Sequence, residues 1–120
     1  MPKKTLVIGA SNNPSRYSYL AIHRLRKNNN PVVAIGKRNT EVADVKVEKD
    51  KLPFSDIDTV SLYINPSNQK EYYDYILSLK PKRIIFNPGA ENDELSELAS
   101  ASGIQTLEAC TLVMLSTGQY

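Results

Sequence analysis

The sequence predicts a single three-layer α/β domain over residues 1–120, built on a doubly wound parallel sheet of about five strands. Three observations predict it. Short runs such as Thr5-Leu6-Val7-Ile8, Val32-Val33-Ala34-Ile35 and Ile84-Ile85-Phe86 are apolar without alternation, as in strands covered on both faces. Segments with apolar residues at helical spacing separate these runs. The runs end at Gly9, Gly36 and Asn87-Pro88-Gly89, residues that turn a chain.

The elements follow in order. After the first strand comes the loop Gly9 to Ser15, then a helix from about Ser18 with Leu20, Ala21, Ile22 and Leu25 as its apolar residues. Asn28 to Pro31 ends that helix, and the second strand stops at Gly36. Val42, Val45 and Val47 alternate with polar residues, which predicts a short half-exposed strand. Asp58 to Ile64 is a strand, and Asn65-Pro66 opens a helix with Asn as cap and Pro at the first position. That helix turns Tyr72, Tyr75, Ile76 and Leu79 inward and stops near Lys80-Pro81. Arg83 to Phe86 is the next strand. A helix over Asp93 to Ser102 buries Leu95, Leu98 and Ala99, with Gly103 just past its end. Ile104 to Leu107 is a last strand, and Thr111 to Leu115 a terminal helical turn.

Right-handed crossovers put helices on both faces of such a sheet. The expected Rossmann-like strand order is 3-2-1-4-5, with a ligand crevice beyond the carboxyl ends of the strands where the order reverses. That rule selects the loops Gly9 to Tyr19, Gly36 to Thr40 and Ile64 to Ser67, with Asn87 to Glu91 beside them.

Composition narrows the function classes. Apolar residues make up 41% and charged residues 23%, ordinary for a globular domain. Fifteen basic side chains against 13 acidic ones give a net charge of +2, too even for a nucleic-acid binder. No run approaches the roughly 20 apolar residues of a membrane-spanning helix. One cysteine, Cys110, excludes an intrachain disulfide, and no secretion signal follows Met1-Pro2-Lys3-Lys4, so a cytoplasmic protein is expected.

The first loop places Gly9 where backbone amides approach a phosphate at a helix N-terminus. It lacks the dinucleotide fingerprint: Gly9-Ala10-Ser11 is followed by Asn12, Asn13 and Pro14. Ser11, Asn12, Asn13, Ser15 and Ser18 add hydroxyls and amides, and Tyr17 and Tyr19 flank the loop as side chains able to close over a ligand. NAD-binding domains carry Asp or Glu at the end of the second strand for the ribose hydroxyls. Here that position reads Gly36-Lys37-Arg38, with no carboxylate before Glu41. Two adjacent cations fit a ligand with an extra phosphate on its adenosine ribose, as in NADP or coenzyme A.

These residues resemble the CoA-binding domain family, stand-alone relatives of the N-terminal nucleotide domain of succinyl-CoA synthetase α subunits. The anchors are Val7-Ile8-Gly9-Ala10-Ser11, then Asn13-Pro14 and Tyr17-Ser18-Tyr19, with Phe86-Asn87-Pro88-Gly89-Ala90 in place of a Trp-x-Gln-x-Gly segment and Glu108-Ala109-Cys110 near the end. Val32 to Lys37 lacks the two prolines typical of the family's second strand. The resemblance implies binding of coenzyme A or an acyl-CoA. Gly9, Ala10 and Ser11 would hold the pyrophosphate, and Lys37 and Arg38 the 3′-phosphate. Ile64, Asn65 and Pro66 would flank adenine or pantetheine, with Asn87 and Gly89 near the pantetheine end.

Catalytic groups are sparse. His23 is the one histidine and lies within a helix, where a structural or solvated role is expected; Cys110 is expected beneath the last helix. Glu91, Asp93, Glu94 and Glu97 sit at a helix start, where the macrodipole accounts for them. No metal spacing, phosphate-loop motif or nucleophile elbow is present, so neither enzyme activity nor a metal is expected. In the synthetase relatives the phosphorylated histidine belongs to another domain, so ligase activity does not carry over. The expected function is a non-catalytic CoA-binding sensor or regulatory module. The alternatives are an NADP-binding oxidoreductase-like domain and a protein-interaction module with a vestigial cleft. Two of Tyr72, Tyr73 and Tyr75, if exposed, would serve a homodimer or another protein partner.

Overall fold

The computed structural model describes residues 2–120. Seven strands form one sheet in the order β3-β4-β2-β1-β5-β6-β7. They are β1 (Thr5–Ala10), β2 (Val32–Gly36), β3 (Thr40–Val42), β4 (Val45–Glu48), β5 (Thr59–Leu62), β6 (Arg83–Phe86) and β7 (Gln105–Glu108). The helices are α1 (Tyr17–Lys27), α2 (Pro66–Gln69), α3 (Tyr73–Leu79), α4 (Asp93–Ala101) and α5 (Thr111–Ser116). All pairings are parallel except β3 with β4.

The sheet has seven strands where about five were expected: β7 adds an edge strand beyond the expected order, and the valine segment is doubled. The alternating valines form not one strand but two, folded back at Ala43-Asp44 so that Val42 faces Val45. Ala43 takes the left-handed conformation, φ 55°. Arg26 holds the turn through two of its three nitrogens, Nε to Asp44 Oδ1 and Nη2 to Oδ2, each 2.9 Å. Those hydrogen bonds hold the Asp44 carboxyl below its ordinary value. Valines 42, 45 and 47 point to the core beneath α1, with Val7, Ile22, Leu25 and Ala34.

The opposite face carries the larger apolar core: Leu6, Ile8, Val60, Leu62, Ile84 and Phe86 from the strands, Ile76 from α3, Leu95 and Ala99 from α4. Every residue of β5 and β6 is buried, and in β6 the run Ile84-Ile85-Phe86 is apolar without a break. Under α5 the sheet is instead polar: Ser61 Oγ meets Thr111 Oγ1 at 2.9 Å, and Arg83 Nε donates to Thr59 Oγ1 at 2.7 Å.

Two helical expectations change. Leu98 is 41% exposed, because α4 borders β7, the edge strand, and only Leu95 and Ala99 reach the core. Leu20 is likewise exposed on α1. Leu98→Gln is therefore expected to change unfolding free energy in urea by less than about 0.5 kcal/mol, whereas a buried leucine at that site would cost several times more. The expected continuous helix after Pro66 is broken into α2, a 3-10 turn at Lys70–Tyr72, and α3.

The tyrosines of that segment do not form an exposed pair. Tyr73 Oη donates to Glu94 Oε1 at 3.0 Å, Tyr75 Oη donates to the Leu52 carbonyl, and Lys51 Nζ lies 4.8 Å from the centre of the Tyr72 ring. All three are half-buried against the larger core.

Candidate functional site

The order of the sheet reverses at β1, between β2 and β5, and the loops at the carboxyl ends of these strands meet there. Backbone contact draws them together. Gly9 has φ +94°, and a Cβ on it would lie 2.8 Å from Ile64 Cγ2 and 2.9 Å from the Tyr63 carbonyl carbon and oxygen. A Cβ on Gly36 would collide with the Ala10 carbonyl oxygen. Glycine at both positions lets β1 sit against the ends of β5 and β2.

Beyond Gly9, Ala10 is buried and Ser11 half-buried. The side chains of the loop mostly serve the loop. Ser11 Oγ accepts from Asn13 N at 3.1 Å, and Asn13 Oδ1 accepts from Ser15 N and Oγ at 3.0 and 2.8 Å. Asn12 Nδ2 reaches Thr40 Oγ1 at 3.0 Å, tying this loop to the one after β2. Helix α1 then begins with no side-chain cap and no acidic residue in its first turn. Among the described residues, the N–H groups of Tyr17 and Ser18 have no acceptor within the chain. An uncapped helix start of this kind attracts an anion.

Lys37 and Arg38 are exposed at the end of β2, and among the described residues neither forms an ion pair. Tyr17, the first residue of α1, is 71% exposed, while Tyr19 packs at a tilt against His23 with ring centres 4.6 Å apart. Ser18 is buried on α1. Asn65 caps α2, its Oδ1 accepting from Asn68 N at 2.9 Å and Ser67 Oγ at 2.8 Å, and Pro66 takes the first helical position.

Asn87 is turned inward. It is 1% exposed; Nδ2 donates to Ser61 Oγ and to the Leu62 carbonyl, each at 2.9 Å, and Oδ1 accepts from Thr111 N at 2.8 Å. Its amide fastens β5, β6 and α5 together, and both its N–H donors are taken up. Gly89 is exposed, but its N–H donates to Glu91 Oε1 at 2.8 Å. Cys110 is half-buried at the cap position of α5, not beneath that helix as expected.

Two polar residues that the sequence did not mark complete the crevice wall. Gln69 is fully buried and bridges the loops after β5 and β6, Nε2 donating to Ile64 O at 2.9 Å and Ala90 O at 2.7 Å. Asn92 Nδ2 donates to Gln69 Oε1 at 2.9 Å, while its own Oδ1 caps α4. A glutamine and an asparagine in polar stretches read as surface residues, and no periodicity flags them.

Groups for proton transfer are few. The Tyr63 hydroxyl oxygen is buried with no partner, since the neighbouring Ser61 and Thr111 hydroxyls bond each other. Burial pushes it up to about 12, so it keeps its proton at neutral pH. Among the described residues, no group of three His, Cys, Asp or Glu side chains is placed to hold a metal ion. No helix among them is long and apolar enough to cross a membrane. A second groove lies at the opposite, amino-terminal ends of the strands. There Lys4, Lys80 and Lys82 mix with Asp56 and Asp58, and Lys82 lies 4.0 Å from the Asp58 carboxylate.

Comparison with known proteins bears on this arrangement. A crystal structure of an uncharacterized protein is 48% identical, with TM-score 0.97, covering 100% of this chain and 99% of that one. A hypothetical protein from Pyrococcus horikoshii OT3 is 24% identical, with TM-score 0.87 over 97% of this chain and 83% of that one. The dinucleotide forming acetyl-coenzyme A synthetase 1 of Ca. Korarchaeum cryptofilum, in complex with phosphate and ADP, is 19% identical. It matches with TM-score 0.72 over 90% of this chain, which spans 26% of that protein. No curated protein matches. The CoA binding domain family matches residues 3–116, nearly the whole fold including every loop of the crevice, and the chain belongs to that family.

Proposed function

We propose that this chain binds coenzyme A or an acyl-CoA at the carboxyl ends of β1, β2, β5 and β6, without catalysing a reaction on it, as a sensor or regulatory module. The observation that carries the reading is the pair Lys37 and Arg38 at the end of β2, exposed and without an ion pair among the described residues, together with the uncapped start of α1 at the neighbouring β1. An adenosine phosphorylated on its ribose needs cations at the first place and N–H donors for its pyrophosphate at the second. Family membership narrows that ligand class to coenzyme A over NADP. For the non-catalytic role, the support is chemical. The sole histidine packs against the Tyr19 ring along α1, and Tyr63 holds its proton at neutral pH.

The test is a thermal-unfolding titration with coenzyme A, acetyl-CoA, NADP and NAD in parallel. A ligand that binds only the folded state raises the melting temperature. The expected result is a rise of several degrees with the CoA compounds at about 100 times Kd, corresponding to about 2.7 kcal/mol, and no rise with NAD. A rise with NADP alone would transfer the site to an oxidoreductase-like reading.

A further inference from the structure

We infer that Gln69 is a positioning residue that turns two backbone N–H groups, those of Asn65 and Glu91, toward the pantetheine arm of the ligand; the inference rests on the coenzyme A reading above. Gln69 is 0% exposed, an uncharged polar side chain enclosed at the junction of α2 with the 3-10 turn. Burying an amide costs stability unless its hydrogen bonds are made. Here they are made to two loops at once, the Ile64 carbonyl after β5 and the Ala90 carbonyl after β6. Asn92 fixes the remaining oxygen and is itself held by Tyr73, Nδ2 to Oη 2.8 Å.

The consequence follows from peptide geometry. No peptide bond among the described residues is cis, and in a planar trans peptide the N–H points opposite to the C=O. With the Ile64 and Ala90 carbonyls drawn inward to Gln69, the N–H groups of Asn65 and Glu91 point outward. Both residues are exposed, and among the described residues neither N–H has an acceptor within the chain. Pantetheine carries two amide groups, each with a carbonyl that accepts such a donor. If the 3′-phosphate sits at Lys37 and Arg38 and the pyrophosphate at the start of α1, the arm continues in the same direction across β5 and β6. It then meets the Asn65 and Glu91 donors in turn.

The experiment compares coenzyme A with adenosine 3′,5′-bisphosphate, which has the nucleotide end and no pantetheine. Calorimetry on the wild type is expected to show coenzyme A bound more tightly. In Gln69→Leu, affinity for coenzyme A is expected to fall about tenfold, while that for the bisphosphate stays within about twofold. A merely structural role would weaken both alike, and that result would overturn the inference. A measurement on the wild type stands independently of any variant. The Asn65 and Glu91 amide resonances are expected to shift downfield with coenzyme A and to stay in place with the bisphosphate, and their indifference to coenzyme A would overturn the inference. Equal wild-type affinity for both ligands would remove the arm's contacts and leave the nucleotide reading standing. Binding of neither would remove that reading, and the inference with it.

Discussion

Gly9→Ala is expected to destabilise the protein by about 3 kcal/mol and to abolish coenzyme A binding. Two costs add at this position. The backbone has φ +94°, where an L side chain is strained by about 1–3 kcal/mol. The new methyl also meets the Tyr63 backbone at 2.9 Å, and backbone cannot swing aside as a flexible side chain would. Gly89→Ala separates the two. It shares the strained conformation, φ +93°, but its Cβ would find nothing within 4 Å. Only the conformational part, about 1 kcal/mol, is expected there. Urea unfolding of both variants is the check. Equal losses would mean that the close approach of β1 to the end of β5 carries no energy. Against a typical total of about 5–15 kcal/mol, the difference is well within reach of measurement.

The double change Lys37→Ala, Arg38→Ala is expected to lower coenzyme A affinity about 30-fold or more and to leave the urea midpoint unchanged. The two outcomes have one cause. Both side chains are exposed and unpaired among the described residues, so the folded state loses little with them. A bound phosphate would lose charge-assisted hydrogen bonds at about 1.5–3 kcal/mol each, less what solvent screening removes. Raising the salt concentration should shrink the wild-type advantage, because such contacts are screened. Unchanged affinity, measured by calorimetry in low salt, would empty this place of its proposed role.

The sheet was legible because the buried middles of β1, β2 and β6 are continuous apolar runs, Leu6-Val7-Ile8, Ala34-Ile35 and Ile84-Ile85-Phe86. The order of the central strands followed from handedness and from the alternation with helices. The β3–β4 hairpin was not legible as two strands. Its turn is Ala43-Asp44, which lacks the glycine or asparagine that announces a tight turn, and the closing interaction comes from Arg26, 18 residues away.

Within the candidate site, the backbone features were legible and the side-chain duties were not. Gly9 and the Lys37-Arg38 pair announce themselves by residue type at the end of a strand. Asn87 does not, because nothing in its neighbours along the chain tells that Ser61, Leu62 and Thr111 would surround it. Gln69 is hidden for the same reason: its partners Ile64, Ala90 and Asn92 are brought together only by the fold. The exposed Leu98 failed in the opposite sense. Its spacing in α4 is that of a core residue, and only the end of the sheet at β7 leaves it uncovered.

The central claim is that the crevice recognises an adenosine carrying a ribose phosphate, with Lys37 and Arg38 as its partners. The most direct measurement is a calorimetric comparison of coenzyme A with dephospho-coenzyme A on the wild-type protein, the two ligands differing only in that phosphate. A preference for coenzyme A of about tenfold or more is predicted, and it should vanish when Lys37 and Arg38 are both replaced. Equal affinity of the wild type for the two ligands would contradict the account.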